Sequence, residues 1–311
     1  MTPVPGPNSC SSSGAPETTD CLIVGAGPAG LVAATYLARF RRRVTVVDAG
    51  GSRAAWIPTS HNCPGFPSGV SGKTLLQRLR DQAGTYGVTA IPGRIETLER
   101  AGDGFIARDA QGRRWRAACV ILATGIIDRL PDVEGGEAVR KHAIDAGVLR
   151  LCAVCDGYEA SDERIGVLGP ASDARRHADF LGTFSRKVEA IATESALAVH
   201  CSDTGCAVSF VDGSRREYDT LYPVLGSDVQ SQLARALGAD VDEEGALRTD
   251  AHLQTSIAGL YAIGDVVSAL NQIAVAVGHA AIAATAIHNQ LPPNPRGREE
   301  AGAETWAAER P

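Results

Sequence analysis

Several features that define other classes of protein are scarce in this 311-residue chain. Aromatic residues make up 5% of it, and 30 Lys and Arg stand against 36 Asp and Glu, which gives a formal net charge of −6. This balance, with no basic cluster, argues against nucleic acid as a partner. The longest apolar stretch, Ile273–Ile287, is too short to span a bilayer and contains His279, so we predict a buried helix there and no membrane partner.

Cysteine is also sparse, since eight cysteines in a chain of this length do not form a disulfide scaffold. Residues 1–17 are rich in Pro, Ser and Gly and lack the basic start and apolar run of a signal peptide. They predict a disordered tail and a cytoplasmic protein. Glycine, in contrast, is abundant, with 34 residues, and 44% of the chain is hydrophobic. Length and composition together predict an α/β enzyme of two domains.

A nucleotide-binding pattern stands near the N-terminus. A β-type run, Asp20–Val24, leads into the glycine-rich segment Gly25–Gly30, a helical pattern over Leu31–Arg39 and a second strand, Val44–Val47, that ends at Asp48. Strand, GxGxxG, helix, strand and acidic residue within about thirty residues form the dinucleotide-binding βαβ unit. The terminal carboxylate is expected to accept hydrogen bonds from ribose hydroxyls.

Each residue of the GAGPAG segment has a role in that unit. Gly25 permits the tight turn, Gly27 lets backbone N–H groups approach a pyrophosphate, and Gly30 lets the helix pack closely on the strand. Pro28 and Ala29 open the helix, whose N-terminus stabilises phosphate charge. We therefore predict that this segment binds a dinucleotide.

Two later segments indicate that the dinucleotide is FAD. Residues 119–125 form an apolar strand that ends in Thr124 and Gly125, the ATG signature of flavoproteins with two dinucleotide folds. Near the C-terminus, another strand closes on Gly264 and Asp265. In such flavoproteins this aspartate holds a ribityl hydroxyl, so we expect all four residues to contact FAD.

The redox chemistry is expected at Cys152-Ala-Val-Cys155, which Asp156 follows directly. A CxxC pair is typical either of half a zinc site or of a reversible disulfide. Zinc needs a second pair, and Cys201 and Cys206 have the wrong spacing, so we expect no metal. A turn signal between two β-type runs could place these two cysteines opposite each other on a hairpin, but we interpret them as free structural thiols. In a reversible disulfide one thiolate attacks and the other closes the ring, while the adjacent carboxyl can move a proton.

The order GAGPAG, ATG, CAVCDG and GLYAIGDV resembles the low-molecular-weight thioredoxin reductase family over nearly the whole chain after residue 19. The resemblance implies an α/β fold of two Rossmann-like, three-layer domains and bound FAD. It also implies a homodimer and a thioredoxin-like protein or small dithiol/disulfide as substrate.

The resemblance also assigns roles to individual residues. Cys155 would face the flavin, Cys152 would exchange with the substrate disulfide, and Asp156 would be the general acid. Flavin contacts implied in the same way come from Asn62, Asp265, Gln272 and Ile273.

The domain limits follow from these motifs. We predict a discontinuous FAD domain over 18–127 and 247–311, with an inserted domain over 128–246 that carries the CxxC pair. The connecting strands are expected at Asp128–Pro131 and Asp242–Ala246.

The inserted domain departs from the family in its own nucleotide loop. Its strand Arg164–Leu168 runs into Gly169-Pro170-Ala171, where alanine replaces the second glycine and proline removes an N–H group. After the next strand, Glu194 stands where the family has arginines. It would repel a 2′-phosphate, although it could accept hydrogen bonds from the ribose of NADH. The inserted domain is thus a degenerate NAD(P)-binding domain: the pattern argues against tight NADPH binding and leaves NADH open.

Without a nicotinamide site, several functions stay open. The chain could take electrons from ferredoxin, reduced flavin or another donor and reduce a disulfide. It could instead oxidise a dithiol and pass the electrons to oxygen, or act as an ordinary NAD(P)H-dependent thioredoxin reductase or a non-enzymatic redox sensor. Asp156 after the CxxC pair favours the reductase. His142 could reach the dithiol but is interpreted as a solvated loop residue, and His279 is left between a flavin contact and a core histidine.

Overall fold

The structure is a computed structural model that describes residues 15–267 and 270–295. Most of the predicted N-terminal tail, residues 1–17, lies outside the described residues, and the first strand begins at Glu17. The first eight elements are β1 (Glu17–Val24), α1 (Pro28–Arg39), β2 (Val44–Asp48), α2 (Gly72–Thr85), β3 (Ala90–Pro92), β4 (Ile95–Ala101), β5 (Gly104–Asp109) and β6 (Arg114–Leu122).

The middle and end of the chain form a second set of elements. The middle elements are β7 (Ile126–Asp128), α3 (Gly136–Asp145), α4 (Ala153–Asp156), β8 (Arg164–Gly169), α5 (Ala171–Leu181), β9 (Lys187–Ala192), β10 (Ala196–Cys201), β11 (Cys206–Phe210), β12 (Arg215–Tyr218), β13 (Thr220–Pro223) and β14 (Ser227–Val229). The last elements are α6 (Gln232–Ala236), β15 (Leu260–Ala262) and α7 (Ile273–Gln290).

The largest sheet is built around the parallel pair β1 and β6. Strands β2 and β3 extend it in parallel beyond β1, while β15 pairs in parallel with the end of β6. Strands β5 and β4 continue it as an antiparallel meander from the start of β6. The last four residues of β1 are all buried, which is typical of a parallel strand covered on both faces. The carboxyl ends of β1 and β6 therefore lie side by side at one edge.

Helices α1 and α7 cover one face of this sheet. Both are rich in alanine, and their small buried side chains let the two helices and the strands approach closely. The predicted buried helix at Ile273–Ile287 is confirmed as α7. Among the described residues, no helix is long and apolar enough to cross a membrane.

The middle of the chain forms a second unit with two small sheets. Strands β13, β8 and β9 are parallel, and β10, β11 and β12 are antiparallel. The α/β fold with two Rossmann-like units, expected from the sequence, is therefore confirmed. Each unit contains a strand, a loop and a helix in the order of a nucleotide-binding fold.

The two chain segments that connect the units pair with each other. Strand β7 runs antiparallel to β14, so the return connection is Ser227–Val229. The sequence had placed it at Asp242–Ala246, which instead forms a turn closed by the Asp242 N–H and the Ala246 carbonyl at 2.9 Å. Ala234 and Ala239 pack in the core of the first sheet. The limits 18–127, 247–311 and 128–246 stay predictions, and this packing favours a boundary near Ser231.

Candidate active site

The loop between β1 and α1 cannot be built without two of its glycines. Gly25 has a φ of +106°, and a Cβ on it would lie 2.4 Å from the Ala123 carbonyl oxygen. A Cβ on Gly30 would lie 1.9 Å from the Gly25 carbonyl oxygen. Since real Cβ atoms do not approach so closely, both glycines hold the helix against the carboxyl ends of β1 and β6.

Gly27 is different because a Cβ on it would meet a single side-chain atom and no backbone atom. The nearest atom to that position is the Ser52 Oγ at 3.4 Å. Gly27 is the N-cap of α1, no side chain caps the helix, and its first turn carries no acidic residue. Together with Pro28 and Ala29 it lines a cavity of about 400 Å³. An uncapped helix N-terminus behind an open glycine fits the pyrophosphate of FAD.

Other predicted FAD contacts have structural partners of their own. Asp48 accepts a hydrogen bond from the Ala26 N–H at 2.9 Å and so holds the loop, and it also lines a second cavity of about 800 Å³. Thr124 donates to the carbonyl oxygen of Gln230 at 2.6 Å, and the Gly125 carbonyl accepts from the N–H of the same residue at 3.0 Å. These contacts anchor the return connection beside β6. The roles of these three residues toward FAD stay predictions.

The cavity of 400 Å³ lies between the two units. One wall contains the start of α1, Asp265 and the first residues of α7, including Ile273. The opposite wall contains Cys152, Cys155 and Asp156 from the second unit. The nucleotide loop and the CxxC pair, far apart in sequence, therefore face one space.

Cys152 and Cys155 are joined by a disulfide bond, and α4 begins directly after the first of them. The side-chain amide nitrogen of Gln272 lies 3.3 Å from the Cys155 sulfur and 3.5 Å from the Cys152 sulfur. The Gln272 oxygen accepts from the Asn62 Nδ2 at 3.0 Å. Sequence reasoning placed these two polar residues at the flavin. It did not foresee that Gln272 reaches the disulfide.

Asp156 is equipped to hold a proton near neutral pH. Burial raises the pKa of its carboxyl to about 6, although the nearby charge of Arg150 and a hydrogen bond from Tyr222 act in the opposite direction. The Tyr222 hydroxyl donates to the Asp156 Oδ1 at 3.0 Å. Arg150 donates to the backbone carbonyl of Asp156 at 3.1 Å. A carboxyl with this pKa can both donate and accept a proton at physiological pH.

Arg53 connects the cavity wall with a strand outside it. Its guanidinium binds both carboxylate oxygens of Asp128, at 2.6 and 3.1 Å, and lies 3.8 Å from the Asp265 carboxylate. Burial raises the pKa of Asp265, and the positive charge of Arg53 counteracts that rise. Because Asp128 ends β7, this residue ties a connecting strand to the wall of the cavity.

A second contact crosses between the units. The His61 Nδ1 lies 2.9 Å from a carboxylate oxygen of Glu159, which follows α4 by three residues. His61 belongs to the segment before α2. This pair and the contact between Gln272 and the sulfurs hold the CxxC segment at the mouth of the cavity.

The histidines left open by the sequence lie apart from the disulfide. His142 is exposed on α3 and binds Asp203 at 2.6 Å. His279 accepts the Gly264 N–H on its Nδ1 at 3.3 Å, and burial lowers the pKa of its ring, so it supports the turn, where Gly264 has a φ of +75°. Sequence reasoning gave neither residue these partners.

The interpretation of Cys201 and Cys206 as free thiols is wrong. They lie directly opposite each other on the antiparallel strands β10 and β11 and form a disulfide bond. The turn signal Ser202–Gly205 between them brings the strands together, so the spacing itself contained the information. The Cys206 sulfur also contacts the Val148 carbonyl at 3.7 Å.

The loop between β8 and α5 differs from the first nucleotide loop. Pro170 occupies the N-cap position and has no N–H, and Ala171 is the first helical residue and is exposed. Asp173 brings a carboxylate into the first turn, where it binds Arg176 at 2.9 Å. Glu194 is exposed in the turn after β9. The start of α5 therefore presents a proline, a methyl group and a carboxylate where the start of α1 presents backbone N–H groups.

Comparison with known proteins agrees with this geometry. The model of the family "Pyridine nucleotide-disulphide oxidoreductase" matches residues 19–171 and 181–280. The thioredoxin reductase of Streptomyces coelicolor is 28% identical over 286 residues, which cover 81% of this chain and 87% of that protein. The thioredoxin reductase of Peptoclostridium litorale is 26% identical over 305 residues, which cover 85% and 94%.

Solved structures show the same likeness. The thioredoxin reductase of Streptococcus pyogenes superposes with a TM-score of 0.80 at 26% identity, covering 88% of this chain and 98% of that one. The crystal structure of HlmI gives a TM-score of 0.80 at 29% identity, covering 88% and 92%. With the family model matched over most of its length and a CxxC disulfide beside a nucleotide loop, the chain belongs to the pyridine nucleotide-disulphide oxidoreductase family and is a flavin disulfide oxidoreductase of the thioredoxin reductase-like type.

Proposed function

We propose that the chain exchanges two electrons between FAD, the Cys152–Cys155 pair and an external dithiol or disulfide, without tight binding of NADPH. The observation that carries this proposal is the cavity that the first nucleotide loop shares with the disulfide. The loop before α5, in contrast, presents Pro170 and Ala171 instead of open glycines. The contrast favours a protein that retains its flavin and its disulfide but receives electrons from a different donor.

FAD supplies the two-electron redox chemistry when it is bound. Its pyrophosphate is proposed to lie at the start of α1 and its ring system in the cavity of 400 Å³. The residues proposed to hold it are Gly25, Gly27, Pro28, Ala29, Gly30, Asp48, Asn62, Thr124, Gly125, Gly264, Asp265, Gln272 and Ile273.

The exchange steps are proposed to use Cys152, Cys155 and Asp156 as follows. Reduction of the Cys152–Cys155 bond consumes two electrons and two protons and gives two thiols. The Cys152 thiolate then attacks one sulfur of a substrate disulfide, so a mixed disulfide forms as the substrate bond breaks. Cys155 attacks the Cys152 sulfur, which reforms the internal disulfide and releases the second substrate thiolate. Asp156 transfers protons to the leaving thiolates.

The partners of this exchange are proposed from the relatives and from the altered loop. The names of the most similar curated proteins favour a thioredoxin-like substrate, and a small dithiol or disulfide fits the same chemistry. Ferredoxin or a reduced flavin is the proposed electron donor in place of NADPH. NADH is the nicotinamide left open, because Glu194 could accept hydrogen bonds from its ribose. A homodimer through the FAD-binding units also stays a prediction.

Anaerobic stopped-flow mixing of the FAD-loaded protein with NADPH, NADH and dithiothreitol in turn tests the proposal. The flavin absorbance should bleach with dithiothreitol and stay unchanged with NADPH on the same timescale. Rapid bleaching by NADPH would show that the loop after β8 still binds this donor and would overturn the proposed donor change.

The variant with both Cys152→Ser and Cys155→Ser is the matched control. It should keep FAD and lose the response to dithiothreitol, while dithionite still bleaches it. Admission of oxygen to the reduced protein then distinguishes a reductase from an oxidase. Slow reoxidation favours a reductase, and fast turnover of a dithiol with oxygen favours an oxidase.

A further inference from the structure

A directed chain of hydrogen bonds ends on the sulfur atoms of the CxxC pair. The Ser60 hydroxyl donates to the Asn62 Oδ1 at 3.0 Å, and the Asn62 Nδ2 donates to the Gln272 Oε1 at 3.0 Å. The Gln272 Nε2 lies 3.3 Å from the Cys155 sulfur and 3.5 Å from the Cys152 sulfur. Three side chains from two distant segments thus end in a single donor aimed at the redox-active sulfurs.

The direction of this chain follows from the chemistry of the amide groups. An amide side chain has one accepting end and one donating end. If Gln272 were reversed, its NH₂ group would face the NH₂ group of Asn62, and its oxygen would face the lone pairs of the sulfurs. The Ser60 hydroxyl can donate or accept, so the direction is set at the other end: the disulfide sulfurs offer only lone pairs, which favours the Gln272 N–H groups toward them and the Asn62 Nδ2 toward the Gln272 oxygen.

The start of the chain is anchored in the fold. Ser60 is buried, with a relative exposure of 4%. Its backbone forms both hydrogen bonds of a bridge with Val70, at 2.8 and 3.0 Å. Gln272 is likewise fixed, because it is the N-cap of α7. Both ends of the chain thus belong to ordered backbone, and the exposed side chain of Asn62 links them.

We propose that Gln272 is a further catalytic residue, whose side-chain amide donates to the Cys155 thiolate after reduction and stabilises the ionised sulfur. Asn62 and Ser60 are positioning residues that act through it. The inference rests on the proposed thiol/disulfide exchange at this pair. A hydrogen bond to an ionised sulfur is stronger than one to a neutral thiol, so the donor favours the reactive form of the cysteine. A neutral amide can do this at any pH because it has no charge of its own to lose.

Charged groups in the same cavity also act on the sulfurs. They are the side chains of Arg53, Asp145, Arg150, Asp156 and Asp265 and the pair of His61 with Glu159. A test of the amide must leave all of them in place. Gln272→Leu removes the donor and adds no charge, and Asn62→Leu removes the group that orients Gln272, again without a new charge.

The test is the pH dependence of cysteine alkylation in FAD-loaded protein that has been reduced and kept anaerobic. Samples receive a short pulse of iodoacetamide between pH 5 and pH 10, and mass spectrometry then measures the labelled fractions of Cys152 and Cys155 separately. The control variant is Gln77→Leu on α2, where an exposed amide binds Asp81 at 2.7 Å.

The expected result is a loss of Cys155 labelling in Gln272→Leu by about tenfold at pH 7, with the same plateau rate as the unmodified chain at pH 10. Asn62→Leu should show a smaller loss, because Gln272 keeps its amide and loses only the group that orients it, and Gln77→Leu should show none. Superimposable profiles of Gln272→Leu and the unmodified chain would overturn the inference. An equal change at every pH would also overturn it, because it would report access to the sulfur rather than ionisation.

This readout is independent of the electron donor. Failure of the proposed function would appear as bleaching by NADPH in stopped flow, whereas failure of the inference appears only in the alkylation profile. Gln272→Glu, nearly equal in size, provides a second check, since a carboxylate near the sulfurs should slow alkylation at pH 7 at least as much as leucine does.

Discussion

In the first unit, the helix after β1 starts behind Gly27, whose missing Cβ faces the cavity, and its first turn has no acidic residue. In the second unit, the helix after β8 starts with Pro170 and Ala171, and Asp173 stands in its first turn. Neither helix is capped by a side chain. The same βαβ geometry therefore presents N–H groups to a ligand in one unit and a proline, a methyl group and a carboxylate in the other.

Glycines that serve packing are present in both units. A Cβ on Gly30 would meet a carbonyl oxygen at 1.9 Å, and a Cβ on Gly169 would meet Val224 at 2.5 Å. Two of the three glycine positions differ, because Ala171 stands at the position of Gly27 and Ala174 at that of the packing glycine Gly30. The comparison shows that a nucleotide-binding fold can persist for its packing while the surface that contacts the nucleotide changes.

The largest expected effect comes from the chemistry that only the second unit carries. Cys152→Ser or Cys155→Ser should reduce the rate of flavin bleaching by dithiothreitol by at least about 1000-fold, because neither remaining thiol can close the disulfide. The ratio of flavin to protein absorbance should not change, since the proposed FAD contacts lie in the first unit. Loss of FAD from either variant would contradict this division of roles.

The next effect separates packing glycines from ligand-facing ones in the first unit. Gly30→Ala should lower the free energy of unfolding by about 3 kcal/mol, because the new Cβ overlaps the Gly25 carbonyl. Gly27→Ala should leave the unfolding of FAD-free protein nearly unchanged and weaken FAD binding. Thermal unfolding and flavin titration measure the two quantities. Equal destabilisation by both substitutions would show that Gly27 is a packing glycine after all.

Asp156→Asn tests the proton donor of the second unit. A carboxyl with a pKa of about 6 loses its proton as the pH rises, so a rate that needs the protonated form falls on the alkaline side. The substitution should lower the rate of disulfide exchange by about 100-fold and remove this limb of the pH–rate profile.

Tyr222→Phe gives the matching control for Asp156. The Tyr222 hydroxyl donates to the carboxylate and so lowers the pKa of Asp156. Its removal should shift the alkaline limb of the pH–rate profile to higher pH without abolishing it. An unshifted profile in this variant, or a surviving limb in Asp156→Asn, would assign the titration to another group.

The smallest expected effect is a gain in the reaction with NADPH. Ala171→Gly combined with Glu194→Arg should speed the bleaching of the flavin by NADPH by about tenfold, because it restores a close backbone approach and a positive charge for the 2′-phosphate. Glu194→Gln with Ala171→Gly is the control without the new charge. If neither variant is bleached faster by NADPH, the cause of weak NADPH binding lies at Pro170 or outside this loop.

Consecutive residues made much of the site predictable. The first nucleotide loop, its flanking strand and helix and the CxxC pair are all local patterns, and local patterns carry their own geometry. The return connection at Ser227–Val229 could not be found in this way because a strand of three residues shows no periodicity. Its place is fixed by pairing with β7, nearly one hundred residues earlier in the chain.

The partners of the reacting groups were beyond sequence reasoning for the same reason. Tyr222 lies 66 residues after Asp156, and Gln272 lies 117 residues after Cys155. A tyrosine within the apolar strand β13 does carry a weak signal, because a buried hydroxyl needs a partner, yet the pattern cannot say which one. These partners are brought together only by long-range packing in the folded chain.

The disulfide between Cys201 and Cys206 raises the number of electrons that the molecule can accept. Together with Cys152–Cys155 it gives the described chain two reducible bonds, each of which takes up two electrons and two protons. The described cysteines outside these bonds are buried, and burial raises the pKa of their thiols; they are Cys21, Cys63 and Cys119. A reductive titration of the folded protein should therefore consume two electrons more than the flavin and the CxxC pair accept. The flavin absorbance spectrum does not record these electrons, so the number of reducing equivalents consumed reveals them.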